Sequence, residues 1–106
     1  LLINCRSIKN KIDNFQCLLC TLQPTIVLGT ESWLDSSIFD SEIFPAGYHC
    51  FRHDRNSQGG GVFILVKNSI PCVHLACPLL DVETVFCKMR LANGKGLVIG
   101  SYYRPP

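Results

Sequence analysis

A strand, an amphipathic helix and a second strand within the first thirty residues constrain this fold more than any other feature. Residues 1–3, Leu-Leu-Ile, read as the tail of a buried strand, with Asn4 directly after. Ser7 is placed to N-cap a helix, because a serine hydroxyl accepts a free amide of the first turn. Ile8, Ile12, Phe15, Leu19 and Leu22 then share one helical face, with Leu18 at its margin. Lys9, Lys11, Asp13 and Asn14 turn outward. Pro24 ends the helix, since it disfavours helical geometry in the residue before it. Residues 25–30 form a short apolar run that predicts a second buried strand, with Glu31 at its end. A crossover of this kind makes its two strands parallel and often neighbours. As neighbours they bring Asn4 and Glu31 to adjacent carboxyl ends, where open α/β sheets place ligand crevices.

The rest of the chain has a different rhythm. Residues 33–45 read as a loop with a short helical turn near Asp40, residues 48–52 as a short strand, and residues 54–58 as a polar turn. Gly59, Gly60 and Gly61 lead into residues 62–66, a β-branched and aromatic run that predicts a buried strand. Between residues 82 and 91 the pattern alternates. Val85, Cys87, Met89 and Leu91 lie on one face, and Phe86, Lys88 and Arg90 on the other. Asn93-Gly94 is a hairpin turn signal, and residues 97–103 return as a strand. No helix separates the strands after residue 46, so an antiparallel stretch follows the βαβ unit. The expected class is α/β (α+β).

Composition sets limits on function. Of 106 residues, 47% are hydrophobic and 17% charged, which is globular rather than disordered. A mean hydropathy of +0.22 with so little charge predicts exposed apolar surface or membership in something larger. The formal net charge of +2 comes from scattered basic residues and does not by itself point to nucleic acid. Seven cysteines cannot all pair within one chain. The chain has no signal-peptide pattern and no apolar run near the ~20 residues that span a bilayer. An intracellular setting, nuclear or cytoplasmic and not secreted, is therefore expected, with no membrane partner and with cysteines acting as small buried hydrophobes. The chain begins without Met inside one apolar run and stops just after another, so both ends read as cut.

Asn4 and Glu31 are the leading candidates for chemistry. A carboxylate beside an amide at strand tips suits a hard cation, and Mg²⁺ commonly takes one or two protein carboxylates together with water and substrate phosphate. The other reading is local: Glu31 caps a following turn and Asn4 makes a turn bond. The triple glycine lacks the Lys-Ser/Thr of a P-loop and reads as close backbone packing at a strand start. Cys17 and Cys20 resemble half a zinc site, but Cys72 and Cys77 have poor spacing for the other half, so no zinc is expected. Arg6, Arg52, Arg55 and Arg104 are candidate phosphate contacts or solvated surface arginines. Trp33 reads as a packing residue.

Several segments in series resemble a known family. Asn-Cys-Arg-Ser at 4–7, Thr-Glu-Ser-Trp-Leu at 30–34 and Ser-Glu-Ile-Phe-Pro-Ala-Gly-Tyr at 41–48 are similar to the opening of endonuclease domains in non-LTR (LINE-type) retrotransposons. Arg52-His53-Asp54-Arg55, Gly59-Gly60-Gly61-Val62 and the closing Tyr102-Tyr103-Arg104-Pro105-Pro106 continue the likeness. These domains belong to the endonuclease/exonuclease/phosphatase class. The resemblance implies the amino-terminal half, residues 1–106, of a four-layer αββα sandwich. It implies Mg²⁺-dependent (or Mn²⁺-dependent) hydrolysis of a DNA phosphodiester, nicking a target site to prime reverse transcription. By the same resemblance Glu31 is the metal ligand, Asn4 a metal and catalytic residue, and Tyr103 a catalytic residue touching the scissile phosphate, while Arg6 and Arg55, close to the shared segments, are the favoured DNA contacts.

The chain also departs from that family. The later Gly-Asp-Phe-Asn and Ser-Asp-His segments are absent, and with them the aspartate that prepares the attacking water and the histidine that supports the phosphate. His49, His53 and His74 do not match that histidine. The resemblance thus implies an incomplete, inactive fragment whose partners are DNA, the carboxy-terminal half of the same domain and a downstream reverse transcriptase. Two other functions fit the chain: a phosphatase of the same class acting on inositol lipids or nucleotides, and a non-catalytic relic or binding module.

Overall fold

The structure is a computed structural model that describes residues 1–55, 59–76 and 83–103, the last of these by its backbone. The βαβ unit is present. Strand β1 (Leu2–Asn4) and strand β2 (Ile26–Thr30) are parallel neighbours, with Asn4 opposite Thr30. Helix α1 (Ile12–Leu22) crosses between them. It ends where Gln23 turns left-handed at φ 45° and donates its N–H to the Leu19 carbonyl at 2.8 Å, just before Pro24.

The start of the helix differs from the expectation. Helical geometry begins with a 3-10 turn over Lys9–Lys11, and neither it nor α1 has a side-chain cap bond. Ser7 does not cap because its own backbone is left-handed, at φ 75°, and its hydroxyl lies 3.5 Å from the Asn10 amide nitrogen. The apolar face is otherwise as expected over Ile8, Phe15 and Leu19, all buried. Leu22 on the same face is 54% exposed, because it lies in the last turn. β1 is likewise a strand but not a buried one; it is an edge, and Leu2 is 78% exposed.

Helix α2 (Asp40–Ile43) is the short turn expected near Asp40, and Glu42 accepts the Phe39 N–H at 2.9 Å. Strands β3 (Tyr48–His53) and β4 (Val62–Lys67) complete a four-stranded sheet in the order β1-β2-β4-β3, with β4 antiparallel to both neighbours. A second sheet holds β5 (Cys72–Leu75), β6 (Glu83–Arg90) and β7 (Gly96–Tyr103), all antiparallel. The Asn93-Gly94 turn joins β6 to β7, with Gly94 at φ 83°. Leu91 lies just past the end of β6 and is more exposed than its alternating position suggested. The polar-turn residues 56–58 and the candidates Cys77 and Arg104 lie outside the described residues.

β4 is central and buried on both faces, which accounts for its unbroken apolar run. Phe63 and Leu65 face the helices and join Ile8, Phe15, Leu19, Val27, Leu34, Ile43 and Phe44. Val62, Ile64 and Val66 face the second sheet and meet Val85, Cys87 and Met89. Helices, first sheet and second sheet are thus three successive layers. Opposite Phe63 in the pairing stands Gly29, and a Cβ there would overlap the Phe63 ring. Between the sheets the buried Ser101 hydroxyl donates to the Gly29 carbonyl at 3.0 Å. On the outer face of the second sheet Val73, Val98 and Tyr102 are more than half exposed, in line with the apolar surface expected from composition. Among the described residues no helix is long and apolar enough to cross a membrane.

Candidate functional site

The carboxyl ends of β1, β2, β3 and β7 and the amino ends of β4 and β6 gather at one end of the stacked sheets. Asn4 closes β1, and Glu31 directly follows β2, whose last residue pairs with Asn4. Beyond the strand tips the two segments stay together. Cys5 donates its N–H to the Thr30 carbonyl at 2.9 Å, Ser7 to Glu31 at 3.0 Å and Ile8 to Ser32 at 3.1 Å. Lys11 reaches over the same turn, its Nζ donating to the Cys5 carbonyl at 3.2 Å.

The backbone here is unusual. Arg6, Ser7, Glu31 and Trp33 all have positive φ, at 45°, 75°, 53° and 56°. Left-handed geometry costs a non-glycine residue roughly 1–2 kcal/mol, and it persists where surrounding bonds impose it. Those bonds include the Trp33 N–H to the Gly60 carbonyl at 2.9 Å and the Ser32 N–H to the Gly61 carbonyl at 3.4 Å. Gly61, at φ 92°, lies so close to Ser32 that a Cβ would overlap its hydroxyl. The triple glycine therefore serves close backbone packing, as its sequence suggested.

Glu31 is half-buried. Its charge is near enough to Cys5 to add to a rise of that thiol's pKa to about 12, which burial chiefly causes and Lys11 opposes. A concavity of about 400 Å³ opens beside Asn4, between the β1–β2 pair and β7, with Thr30, Ser101 and Tyr102 also on its wall. A concavity of similar size between α1 and β3, lined by Cys20, Tyr48 and Lys67, contains none of the expected site residues. Ser32 Oγ, Trp33 Nε1 and Thr84 Oγ1 are buried without a hydrogen-bond partner among the described residues; Ser32 follows Glu31 in the chain and Thr84 follows Glu83.

Tyr103 ends β7 opposite Glu83, which brings its backbone to this end of the fold. Arg6 is exposed in the turn after β1. Arg55 follows β3 and pairs with Glu83 at 3.5 Å. Arg52, the neighbouring phosphate candidate, is neither solvated nor open to a ligand. Its guanidinium bonds the carbonyls of Ile38 (2.7 Å) and Asp35 (3.0 Å) and the carboxylates of Asp40 (2.9 Å) and Asp54 (2.6 Å), pinning the loop before α2. Glu83 was not anticipated. A glutamate at a strand start carries no local signal, and its role arises only from the stacking of the sheets.

By residue type Asn4 and Glu31 would supply one amide oxygen and one carboxylate, which Mg²⁺ accepts when water and phosphate complete its shell; their strand ends are adjacent, but Glu31 does not line the concavity beside Asn4. Among the described residues no three His, Cys, Asp or Glu side chains come together as a metal cluster. Cys17 and Cys20 are both exposed on α1. Comparison with models of known protein families and with curated proteins found no match.

Proposed function

We propose that residues 1–106 belong to a metal-dependent DNA endonuclease domain of the endonuclease/exonuclease/phosphatase class, of the kind found in non-LTR retrotransposons. The observation that carries this reading is the pair of strained turns at the tips of β1 and β2. The β1–β2 pairing sets Asn4 opposite Thr30, and the turns start the Glu31 segment at the strand ends where an open α/β sheet binds ligands. Strain in a set of hydrogen-bonded loops is characteristic of functional positions. In this reading Glu31 and Asn4 hold Mg²⁺, which when bound offsets charge on the phosphate and the leaving oxygen. Tyr103 contacts the scissile phosphate, and Arg6 and Arg55 meet neighbouring DNA phosphates. The full domain is a four-layer sandwich, in which further strands and an outer helical layer join the three layers described here. The aspartate that orients water and the histidine that supports the phosphate come from segments beyond residues 1–106.

Plasmid nicking tests the reading. In the polypeptide that the reading frame encodes, Glu31→Gln should lower Mg²⁺-dependent nicking by about 100-fold or more with circular dichroism unchanged. Nicking near the parent level would sink the assignment. Residues 1–106 alone should not nick, because groups that act together do not supply a proportionate share of the rate when separated. Nicking by this segment that disappears in its Glu31→Gln form would overturn the division of roles.

A further inference from the structure

Glu83 has the connections of a residue that governs another. It opens β6 in the second sheet, its side chain only 15% exposed, yet both carboxylate oxygens reach across to the first. Oε1 accepts the Gly61 N–H at 2.8 Å. Oε2 lies 3.5 Å from the Arg55 guanidinium. Gly60 and Gly61 in turn accept the Trp33 and Ser32 N–H groups at 2.9 and 3.4 Å. Ser32 is the residue after Glu31, and Glu31 and Trp33 are both left-handed. A continuous path of hydrogen bonds and two peptide units thus runs from Glu83 through the glycine turn to the backbone that aims Glu31. The glycines are required for it. Gly60 and Gly61 sit at φ 68° and 92°, and Cβ atoms there would overlap Glu83, Arg55 or Ser32.

We propose that Glu83 is a positioning residue: by holding the Gly60–Gly61 turn it keeps the Glu31–Trp33 segment in its strained conformation and so sets the direction of the Glu31 carboxylate. Arg55 fixes the Glu83 carboxylate from its other oxygen. The proposal rests on the endonuclease reading only for the use made of Glu31; the hold on the segment is a property of the fold. A charged acceptor suits the task, since a carboxylate bonds a backbone N–H more strongly than a neutral oxygen does. An unpartnered Gly61 N–H would leave a buried donor unsatisfied, and the turn would shift to satisfy it.

Two measurements on the encoded polypeptide separate this proposal from the reading beneath it. The first is hydrogen–deuterium exchange over residues 31–34, with residues 62–67 of β4 as reference. Glu83→Ala should speed exchange over 31–34 by about tenfold, the scale of one lost hydrogen bond, while β4 stays protected. Glu83→Gln, which keeps an oxygen for Gly61, should restore most of the protection. Unchanged exchange in Glu83→Ala, an equal rise in both segments, or failure of Glu83→Gln to rescue would each overturn the positioning role. If Glu83→Ala does not fold, Glu83→Asp takes its place: it keeps the charge and withdraws the oxygen, and unchanged exchange over 31–34 overturns the role. The second measurement is Mn²⁺ titration by electron paramagnetic resonance. Glu31→Gln should abolish binding at this site, and parent-like binding refutes the metal reading while leaving exchange to decide on Glu83. Where Glu31→Gln does abolish binding, Glu83→Ala should weaken Mn²⁺ severalfold. Parent-like affinity despite faster exchange would mean that the hold does not reach Glu31, and would overturn the proposal.

Discussion

Replacing Gly29 with alanine tests the packing that sets the spacing between the helices and the first sheet. The added methyl would occupy the space of the Phe63 ring, which lies directly across the β2–β4 pairing. The ring has no free path out. Phe63 is fully buried, with Phe44 and Phe15 at centroid distances of 5.0 and 6.0 Å. Adding a methyl group to a packed core costs about 1–3 kcal/mol, and so enclosed a ring puts Gly29→Ala near the upper end, about 2–3 kcal/mol. The cost is specific to one partner. Phe63→Leu makes room at its own expense, so the double variant should lose at least about 1 kcal/mol less than the sum of the single ones. Urea unfolding followed through Trp33, the single tryptophan of the chain, measures all three. A Gly29→Ala change within about 0.5 kcal/mol of the parent, or strict additivity with Phe63→Leu, would refute the steric account.

Two further outcomes follow from buried polar groups. Arg52→Ala should destabilise by about 2–3 kcal/mol, less than a wholly buried ion pair because Asp40 is half exposed, and proteolysis should then cut first within residues 35–40. At alkaline pH the fold should weaken, because burial raises the Cys5 thiol from 9.0 to about 12 and the Cys87 thiol from 9.0 to about 11. The folded state favours the neutral thiols, so their stabilisation is complete below pH 9, declines as pH rises above 9, and is gone once pH has passed through about 11 for Cys87 and about 12 for Cys5. Urea unfolding at pH 8 and pH 10 should show that loss, and Cys5→Ala should reduce it; an equal loss in that variant would refute the role of Cys5.

The βαβ unit was legible because its signals are local: helical periodicity ends at Pro24, and a short apolar run resumes with strand-like composition. β4 was legible for a related reason, since burial on both faces leaves an unbroken apolar run. Leu22 and Leu2 show where such reasoning stops. Periodicity assigns a face, but coverage of that face depends on how far the neighbouring elements extend. β5 was not anticipated; with four residues between prolines at 71 and 78 it pairs only because β6 offers its edge. The placement of Asn4 and Glu31 at adjacent strand ends was legible because strand-end positions follow from topology. Glu83 and the full engagement of Arg52 were not, because each depends on partners from other elements: the second sheet meeting the glycine turn, and a loop 12–17 residues upstream folding over β3.

The Ser101 hydroxyl has a consequence for misfolding. β7 carries Gly100, Ser101 and Tyr102 in succession, and only every second residue of a strand faces the same side. If β7 slid by one residue along β6, the hydroxyl would turn to the outer surface. Either a glycine, leaving a void, or a tyrosine, too large for the interface, would stand against the Gly29 carbonyl. The three consecutive residues therefore act as a key with one correct insertion, penalising slipped hairpins at the moment the second sheet docks on the first. Chains that have joined β6 to β7 out of step would fail to dock and could be sorted out before they consolidate.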